Sequence, residues 1–141
     1  MASVHKPLQS RICYVLAAAH RAVNQSLNER LKKFGIQIEA WRVMECLNDN
    51  EHLTMSELAK RALINPPALS KLVDRMVANG LVHRKISATD QRQIHVLLTS
   101  MGLERLHQIQ NVVEDQDRML DELLVSSNDS ASLKEMLRRL A

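Results

Sequence analysis

The stretch TMSELAKRALINPPALSKLVDRMVANGLV, residues 54–82, contains two short helical patterns separated by a sharp turn. Thr54 and Glu57 have the T-x-x-E spacing of a capping box, which predicts that a helix begins here. Asn65 is a favourable N-cap, and Pro66 suits the first helical position, where no N–H is needed. The prolines therefore begin a second helix and do not break the first one.

The second of these helices has two different faces. Apolar residues recur at helical spacing from Leu69 onward and predict the buried face, and Gly80 is expected to end the helix in a left-handed conformation. Leu63 and Ile64 are expected to form a tight, buried turn. The outward face is expected to carry small residues followed by cations, namely Pro66, Pro67, Ser70, Lys71 and Arg75.

Residues 81–86 and 93–98 predict two short strands, and the polar segment SATDQR, residues 87–92, predicts the loop of a hairpin. Asp90 and Arg92 lie two residues apart in this loop, so the carboxylate can orient the guanidinium toward a DNA minor groove. Two helices, a tight turn and a hairpin together define a winged helix-turn-helix. Its second helix has the size that fits the major groove of B-DNA.

The charge distribution supports this interpretation. Residues 54–98 contain seven lysines and arginines but only three acidic residues, a net charge of +4. The whole chain carries +3, so the remaining residues together carry −1. Positive charge concentrated in the central segment indicates a nucleic-acid contact surface.

The flanking segments predict further helices, so the expected fold class is mainly α with a small β-hairpin wing. Apolar residues recur at helical spacing over residues 8–34, 38–47, 103–125 and 133–140, and the polar residues 126–130 predict a linker. The apolar stripes of the two long helices exceed the surface that one small lobe can cover. This excess predicts a homodimer.

Several classes of protein are disfavoured. The chain has two cysteines without a C-x-x-C pair, no apolar run of membrane-spanning length, and an N-terminus without a signal-peptide core, which predicts a reduced, cytoplasmic protein without membrane contact. Glycine-rich phosphate loops, nucleophile elbows and paired catalytic carboxylates are missing from the sequence, so we expect neither an enzyme nor a cofactor. The six histidines include no H-E-x-x-H motif and no i, i+4 pair, so we expect no metal site.

The segment LVDRMVANGLVHRKISATDQRQIHVLLTSMGLERL, residues 72–106, resembles the MarR family of bacterial transcriptional regulators, as does IEAWRVMECL at residues 38–47. The resemblance spans nearly the whole chain as one domain, residues 1–141. It implies a homodimer in which helices of residues 8–34 and 103–141 interlock, and a DNA-binding lobe at residues 38–98. It often also implies a small-molecule pocket between the lobe and the dimer helices.

The resemblance places the recognition helix on residues 65–79, the DNA-reading arginine on Arg92 and its orienting acid on Asp90. The double proline at Pro66 and Pro67 is less usual for the family, so base preference is not transferred to it. We expect a sequence-specific repressor that binds a pseudo-palindromic duplex and is released by a small-molecule effector.

Four residues are candidates for the effector site: His20, Trp41, Met44 and Glu45. His20 could equally be a partly exposed residue at the dimer seam. A second alternative concerns Cys13, because RICYVLAAA, residues 11–19, resembles the first helix of the family's organic-peroxide-sensing branch. The resemblance implies that a cysteine at this place is the sensor and that tyrosines are presented to it. Here Ala17 stands one turn later, and this departure favours a buried apolar cysteine.

Two further interpretations concern Cys46 and the class of protein. Cys46 is expected to belong to the core. A helical dimerisation or scaffold protein that does not bind DNA is the alternative outside this class, and duplex binding at low and high salt would separate the two.

Overall fold

The computed structural model describes residues 4–90, 92–124 and 127–141. Within these residues no helix is long and apolar enough to cross a membrane. The helices are α1 (Ile12–Lys32), α2 (Ile38–Asp49), α3 (Met55–Ala62), α4 (Pro66–Ala78), α5 (Ser100–Leu123) and α6 (Ser127–Arg138). The strands are β1 (Leu53–Thr54), β2 (Val82–Ile86) and β3 (Ile94–Leu98). The fold is mainly helical with a small antiparallel sheet, as predicted.

The chain divides into two compact units, residues 1–38 and 39–141. In the first unit the helix expected to begin at Leu8 does not run continuously. A short 3₁₀ turn ends at Arg11, whose extended backbone (φ −81°, ψ 137°) separates it from α1. The 21 residues of α1 span roughly 32 Å at about 1.5 Å per residue. Gly35 follows with φ 69°, the left-handed conformation that ends many helices.

The capping box at the start of α3 is confirmed. The backbone N–H of Glu57 donates to Thr54 Oγ1 at 3.2 Å, and the backbone N–H of Thr54 donates to Glu57 Oε2 at 3.2 Å. Two of the otherwise unpaired donors at the helix start are thereby satisfied. Leu58 and Ala62 on the inner face are buried, which holds α3 in the core of the second unit.

The prediction of a buried turn after α3 is wrong at Leu63. This residue adopts a left-handed conformation (φ 58°, ψ 47°), and its side chain is 78% exposed. The backbone N–H of Ile64 donates to the Ala59 carbonyl at 3.1 Å, a bond that closes the helix end and fixes the reversal of the chain. The turn geometry therefore directs the Leu63 side chain into solvent, despite its apolar character.

Pro66 occupies the first position of α4, as predicted. Asn65 stands at the N-cap position, but its side chain makes no capping hydrogen bond, so the expected side-chain cap is not formed. The inner face of α4 is buried through Leu69 and its neighbours at helical spacing, whereas Val77, expected in that stripe, is 37% exposed. Gly80 has φ 76°, which confirms the left-handed residue after the helix.

The wing hairpin is confirmed, and the sheet contains one strand more than expected. The strand order is β1-β3-β2, with both pairs antiparallel. Val82 lies opposite Leu98 in the hairpin, and Leu53 of β1 lies opposite Val96. Periodicity could not predict β1, because two residues are too few to show alternation.

The start of α5 is tied to the end of α4 through Thr99. Its hydroxyl accepts from the backbone N–H of Gly102 at 2.9 Å and donates to the Gly80 carbonyl at 2.5 Å. The backbone N–H of Thr99 donates to the Leu81 carbonyl at 3.1 Å. These bonds hold the entry to β2 directly against the first turn of α5.

The linker expected over residues 126–130 is wrong for residues 127–130, which form the first turn of α6. Residues 125 and 126, expected at the end of α5 and the start of the linker, lie outside the described residues. Serine, asparagine and aspartate are common in turns, which suggested a linker, but they are equally common at helix starts. The apolar residues Leu133, Met136 and Leu137 of α6 remain exposed, as does Leu140 after the helix.

Candidate nucleic-acid interface

The outward face of α4 is the largest element of the candidate site. Leu69, Leu72, Val73 and Met76 fix its inner side in the core. The opposite side carries residues at i, i+4 spacing that share one face of a helix. All of them are exposed: Pro66, Pro67, Ser70, Lys71 and Arg75.

Hydrogen bonding is sparse at the start of α4. Pro66 and Pro67 have no backbone N–H, and the Asn65 side chain makes no cap bond, although its carbonyl accepts from the Leu69 N–H at 2.9 Å. The exposed amide of Asn65 is therefore not needed for helix formation. It is available to contact another molecule at the same end of the helix where the small residues allow close approach.

An ion pair between Asp74 of α4 and Arg84 of β2 joins the helix to the wing at 2.5 Å. Asp74 therefore takes Arg84 as its partner and is not paired with its neighbour Arg75. Within the described residues Arg75 has no carboxylate at salt-bridge distance. Its charge is free to meet an external anion.

The wing loop is ordered by short-range hydrogen bonds. The backbone N–H of Ser87 donates to the Gln93 carbonyl at 3.0 Å, and the N–H of Gln93 donates to the Asp90 carbonyl at 3.0 Å. Asp90 Oδ1 accepts from the backbone N–H of Arg92 at 3.0 Å. The loop thus projects Arg92 from a defined backbone position.

The predicted role of Asp90 needs a correction. Its carboxylate holds the backbone of Arg92 and not the guanidinium, for which no ion-pair partner exists among the residues that the structure describes. A carboxylate reaches a backbone amide two residues on through a compact local turn, the usual geometry of an aspartate in a loop. Arg92 itself lines a shallow groove of about 330 Å³ with Thr54, Met55 and Ser56, at the start of α3.

The four candidate effector residues fall on two elements. His20 lies on α1 in the first unit, is exposed, and shares a 3.0 Å hydrogen bond with the Asn24 amide. In α2, Trp41 Nε1 donates to Glu45 Oε1 at 3.1 Å, and Met44 is fully buried. The burial of Met44 favours a core role over ligand contact, whereas Trp41 and Glu45 are half-buried.

Sequence reasoning missed Arg42, the neighbour of Trp41 on α2. Its Nε is buried and has no hydrogen-bond partner among the described residues. A buried guanidinium nitrogen without an acceptor is energetically costly, so the Nε of Arg42 is an unsatisfied donor within the packed part of α2. The signal in the sequence was only a single cation inside an otherwise apolar helical pattern, which is too common to be decisive.

The two cysteines differ in their surroundings. Cys13 is exposed, so the expectation of a buried residue is wrong for this chain. Cys46 is half-buried, and burial raises the pKa of its thiol, with the nearby Asp49 carboxylate raising it further. A raised pKa lowers the thiolate fraction, which makes Cys46 less reactive. Across the described residues no group of three potential metal ligands comes together.

These observations define a winged helix-turn-helix protein with a cationic outer face. A family model described as the MarR family matches residues 34–93. The HTH-type transcriptional repressor IacR of Pseudomonas putida is 32% identical over 102 residues, which cover 72% of this chain and 61% of IacR, less than two thirds of that protein. The HTH-type transcriptional regulator FarR of Neisseria gonorrhoeae is 29% identical over 138 residues, covering 96% of this chain and 94% of FarR.

A solved structure is also similar to this chain. NadR in complex with 4-hydroxyphenylacetate has a TM-score of 0.79 and 26% identity, covering 99% of this chain and 96% of the NadR chain. The chain belongs to the MarR family.

Proposed function

We propose that the protein is a homodimeric transcriptional repressor that binds a specific DNA sequence and is released by a small-molecule effector. One observation carries the proposal: the exposed face of α4 presents Lys71 and Arg75 without ion-pair partners among the described residues. The relatives IacR and FarR, named as a transcriptional repressor and a transcriptional regulator, support the same function. Such a protein acts on chromosomal DNA, so the proposal places it in the cytoplasm and assigns it no reaction.

In this proposal α4 enters the major groove. Small side chains at its start, Pro66, Pro67 and Ser70, let the backbone approach the base edges, and Asn65 offers an amide that both donates and accepts. Lys71 supplies charge to a phosphate, and Arg75 reaches a phosphate or a guanine edge.

The wing supplies the second contact. Arg92 enters the minor groove beside each major-groove contact, where a narrow groove concentrates negative potential. Asp90 acts as a positioning residue, because its carboxylate fixes the backbone amide of Arg92. The two contacts are joined by the Asp74–Arg84 ion pair, which ties α4 to the wing.

Selection from a random duplex library tests the proposal. We expect recovery of a pseudo-palindrome and an affinity that falls steeply as salt rises, because phosphate contacts release counterions. Recovery of no preferred sequence at any salt would support the alternative of a helical scaffold. The proposals of repression and of release by an effector would then fail together with sequence-specific DNA binding.

Exposed apolar residues support the homodimer. In the first unit Ile12 is 72% exposed and Val15 is 52% exposed on α1. In the second unit α6 contacts α5, yet its apolar residues Leu133, Met136 and Leu137 are also exposed. The proposal assigns residues 8–34 and 103–141 to dimerisation and residues 38–98 to the DNA-binding lobe.

We expect light scattering to give the mass of two chains, about 32 kDa, down to micromolar concentration, from a chain mass of 16.0 kDa. Leu133→Glu with Met136→Glu should shift the equilibrium toward the monomer. The matched pair Lys134→Glu with Glu135→Lys changes charge on exposed neighbouring positions and should not. A stable, folded wild-type monomer would contradict the assignment.

The effector proposal rests on α2. The unpartnered Nε of Arg42 suits the carboxylate of a small anion, and the half-buried indole of Trp41 suits an aromatic or apolar body. NadR, the structural relative, was solved in complex with 4-hydroxyphenylacetate, which is an anion of this kind. Glu45, which accepts from Trp41 Nε1, remains a candidate for a further contact at α2, whereas His20 lies in the other unit and stays a candidate from the sequence alone.

Trp41 is the only tryptophan in the chain, so its fluorescence reports on this site directly. We expect 4-hydroxyphenylacetate to change the emission, and Arg42→Gln to weaken the binding by roughly tenfold, as for the loss of one charged hydrogen bond. Arg139→Gln, at an exposed position after α6, is the charge-matched control. Equal affinity of wild type and Arg42→Gln would exclude Arg42 from the site.

The peroxide-sensing alternative stays open at Cys13, because its side chain is exposed. We expect organic hydroperoxide to leave the DNA complex intact, and Cys13→Ser to leave release by the effector unchanged. Peroxide-induced release that Cys13→Ser abolishes would replace the effector proposal with the thiol sensor.

A further inference from the structure

A cavity of about 610 Å³ lies on the outside of the helix-turn-helix, entirely within the second unit. It is formed by the outer side of α3, the turn at Leu63 and Ile64, and the start of α4. Its volume lies within the range of roughly 300–1,000 Å³ that ligand pockets occupy. None of the effector candidates on α1 or α2 lines it.

The lining has the chemistry of a site for an amphipathic molecule. Most of it is aliphatic, with Met55, Ala59 and Leu69 joining the two turn residues. The polar groups are few, and Lys60 is the one charged residue among those lining the cavity in the described part of the chain. An apolar surface with a single cation at its rim matches an apolar body that ends in an anion.

Leu63 adds an independent observation. A leucine at φ 58° is strained, because only residues without a bulky Cβ substituent adopt this conformation readily. Its side chain is also 78% exposed although it is aliphatic. The closure of α3 holds the backbone in this conformation, and the side chain that it turns outward forms a wall of the cavity. An apolar ligand would bury the exposed side chain.

The site also overlaps the proposed DNA interface. Asn65 and Pro66 line the cavity and belong to the face of α4 that the proposed function places against DNA. A molecule in the cavity would cover the start of the recognition helix. An anion beside Lys60 would in addition repel the phosphates that this end of the helix approaches.

We propose that this cavity binds a small amphipathic carboxylate, with the apolar body against Leu63 and Ile64 and the carboxylate at Lys60, and that the bound ligand excludes DNA from α4. The exclusion of DNA rests on the proposed function, whereas the binding of the carboxylate does not. This regulation is direct competition at the DNA-contacting surface, distinct from an effector that binds beside α2.

Ligand binding is tested first in DNA-free protein, with 4-phenylbutanoate and the neutral 4-phenylbutan-1-ol as a matched pair. We expect the carboxylate to shift the backbone amide signals of Ala59, Lys60 and Leu63, and to bind about tenfold more tightly than the alcohol. Lys60→Gln should remove this tenfold preference. Lys134→Gln, an exposed lysine on α6, should retain it.

A second variant separates the apolar wall from the charge. Leu63→Asn suits the left-handed backbone, so the fold should be retained at equal or higher melting temperature. It removes the aliphatic wall and should weaken both probes several-fold while leaving their ratio unchanged. Equal affinity for acid and alcohol in the wild type, or shifts centred on Trp41 in place of Leu63, would overturn the site.

DNA release is measured separately on the selected duplex. We expect 4-phenylbutanoate to raise the apparent Kd for DNA in the wild type, and less so in Lys60→Gln. A ternary complex with unchanged DNA affinity would overturn the competition even where the carboxylate binds. Failure to bind any duplex would count against the proposed function, and the DNA-free measurements would still decide whether the carboxylate occupies the cavity.

Discussion

Arg92→Ala should lower the affinity for the selected duplex by roughly a hundredfold, since the dimer loses one charged groove contact from each half-site at about 1–3 kcal/mol each. The slope of log K against log salt should become shallower by about two, one counterion for each lost contact. Fluorescence anisotropy over a salt series measures both quantities. The guanidinium has no ion-pair partner among the described residues, so its removal should leave the fold unchanged.

Two substitutions of Asp90 test how the wing holds this arginine. Asp90→Ala removes the acceptor that Oδ1 offers to the Arg92 N–H and should weaken DNA binding by roughly tenfold, despite deleting a negative charge beside DNA. Asp90→Asn keeps a side-chain oxygen at the same place and removes the charge, so it should bind as tightly as the wild type or more tightly. Tighter binding by both variants would show that Asp90 only repels DNA.

Gly102→Ala should lower the free energy of unfolding by roughly 3 kcal/mol, the upper end of the usual cost of overpacking a closely packed site. A Cβ at this position would lie 2.1 Å from the Leu81 carbonyl oxygen and 2.8 Å from Leu98 Cδ1. The Leu81 carbonyl cannot easily move aside, because it accepts from the Thr99 N–H. The variant must therefore separate the start of α5 from the entry to β2.

Urea denaturation at fixed protein concentration measures this loss, because dimer stability depends on concentration. Ser100→Ala, exposed in the same turn of α5, is the control and should stay within about 0.5 kcal/mol of the wild type. A Gly102→Ala protein that is as stable as this control would show that the close approach to Leu81 is easily relieved.

The sequence predicted the elements whose signals are local. The capping box at Thr54, the proline start of α4 and the left-handed Gly80 each depend on a few adjacent residues, and each is present. The apolar period of α4 was sufficient to separate a buried from an exposed face. The cationic outer face followed from that division.

The errors arose where backbone geometry overrides side-chain character. Leu63 is apolar, but the hydrogen bond that closes α3 directs its side chain outward. The Asp90 carboxylate binds the backbone of Arg92, because the loop brings that amide closer than the long guanidinium. Spacing alone does not distinguish these two donors on the same residue.

Other features could not be predicted, because they depend on contacts between distant parts of the chain. The pairing of Asp74 with Arg84 depends on how β2 packs beside α4, and this pairing is what leaves Arg75 free. The buried Nε of Arg42 is likewise visible only in the packed structure. The cavity at Leu63 exists because two helices and a strained turn meet.

The spacing of the two half-sites on the DNA shows whether the protein binds DNA as a two-fold winged helix-turn-helix dimer. A two-fold dimer should place its two α4 helices in successive major grooves on one side of the duplex, about 10 base pairs apart. Inserting five base pairs at the centre of the selected pseudo-palindrome turns one half-site to the opposite side. We expect anisotropy to show a loss of affinity of roughly a hundredfold or more, down to the level of an unrelated duplex. Unchanged affinity after the insertion would contradict the claim that the protein reads DNA as a two-fold winged helix-turn-helix dimer.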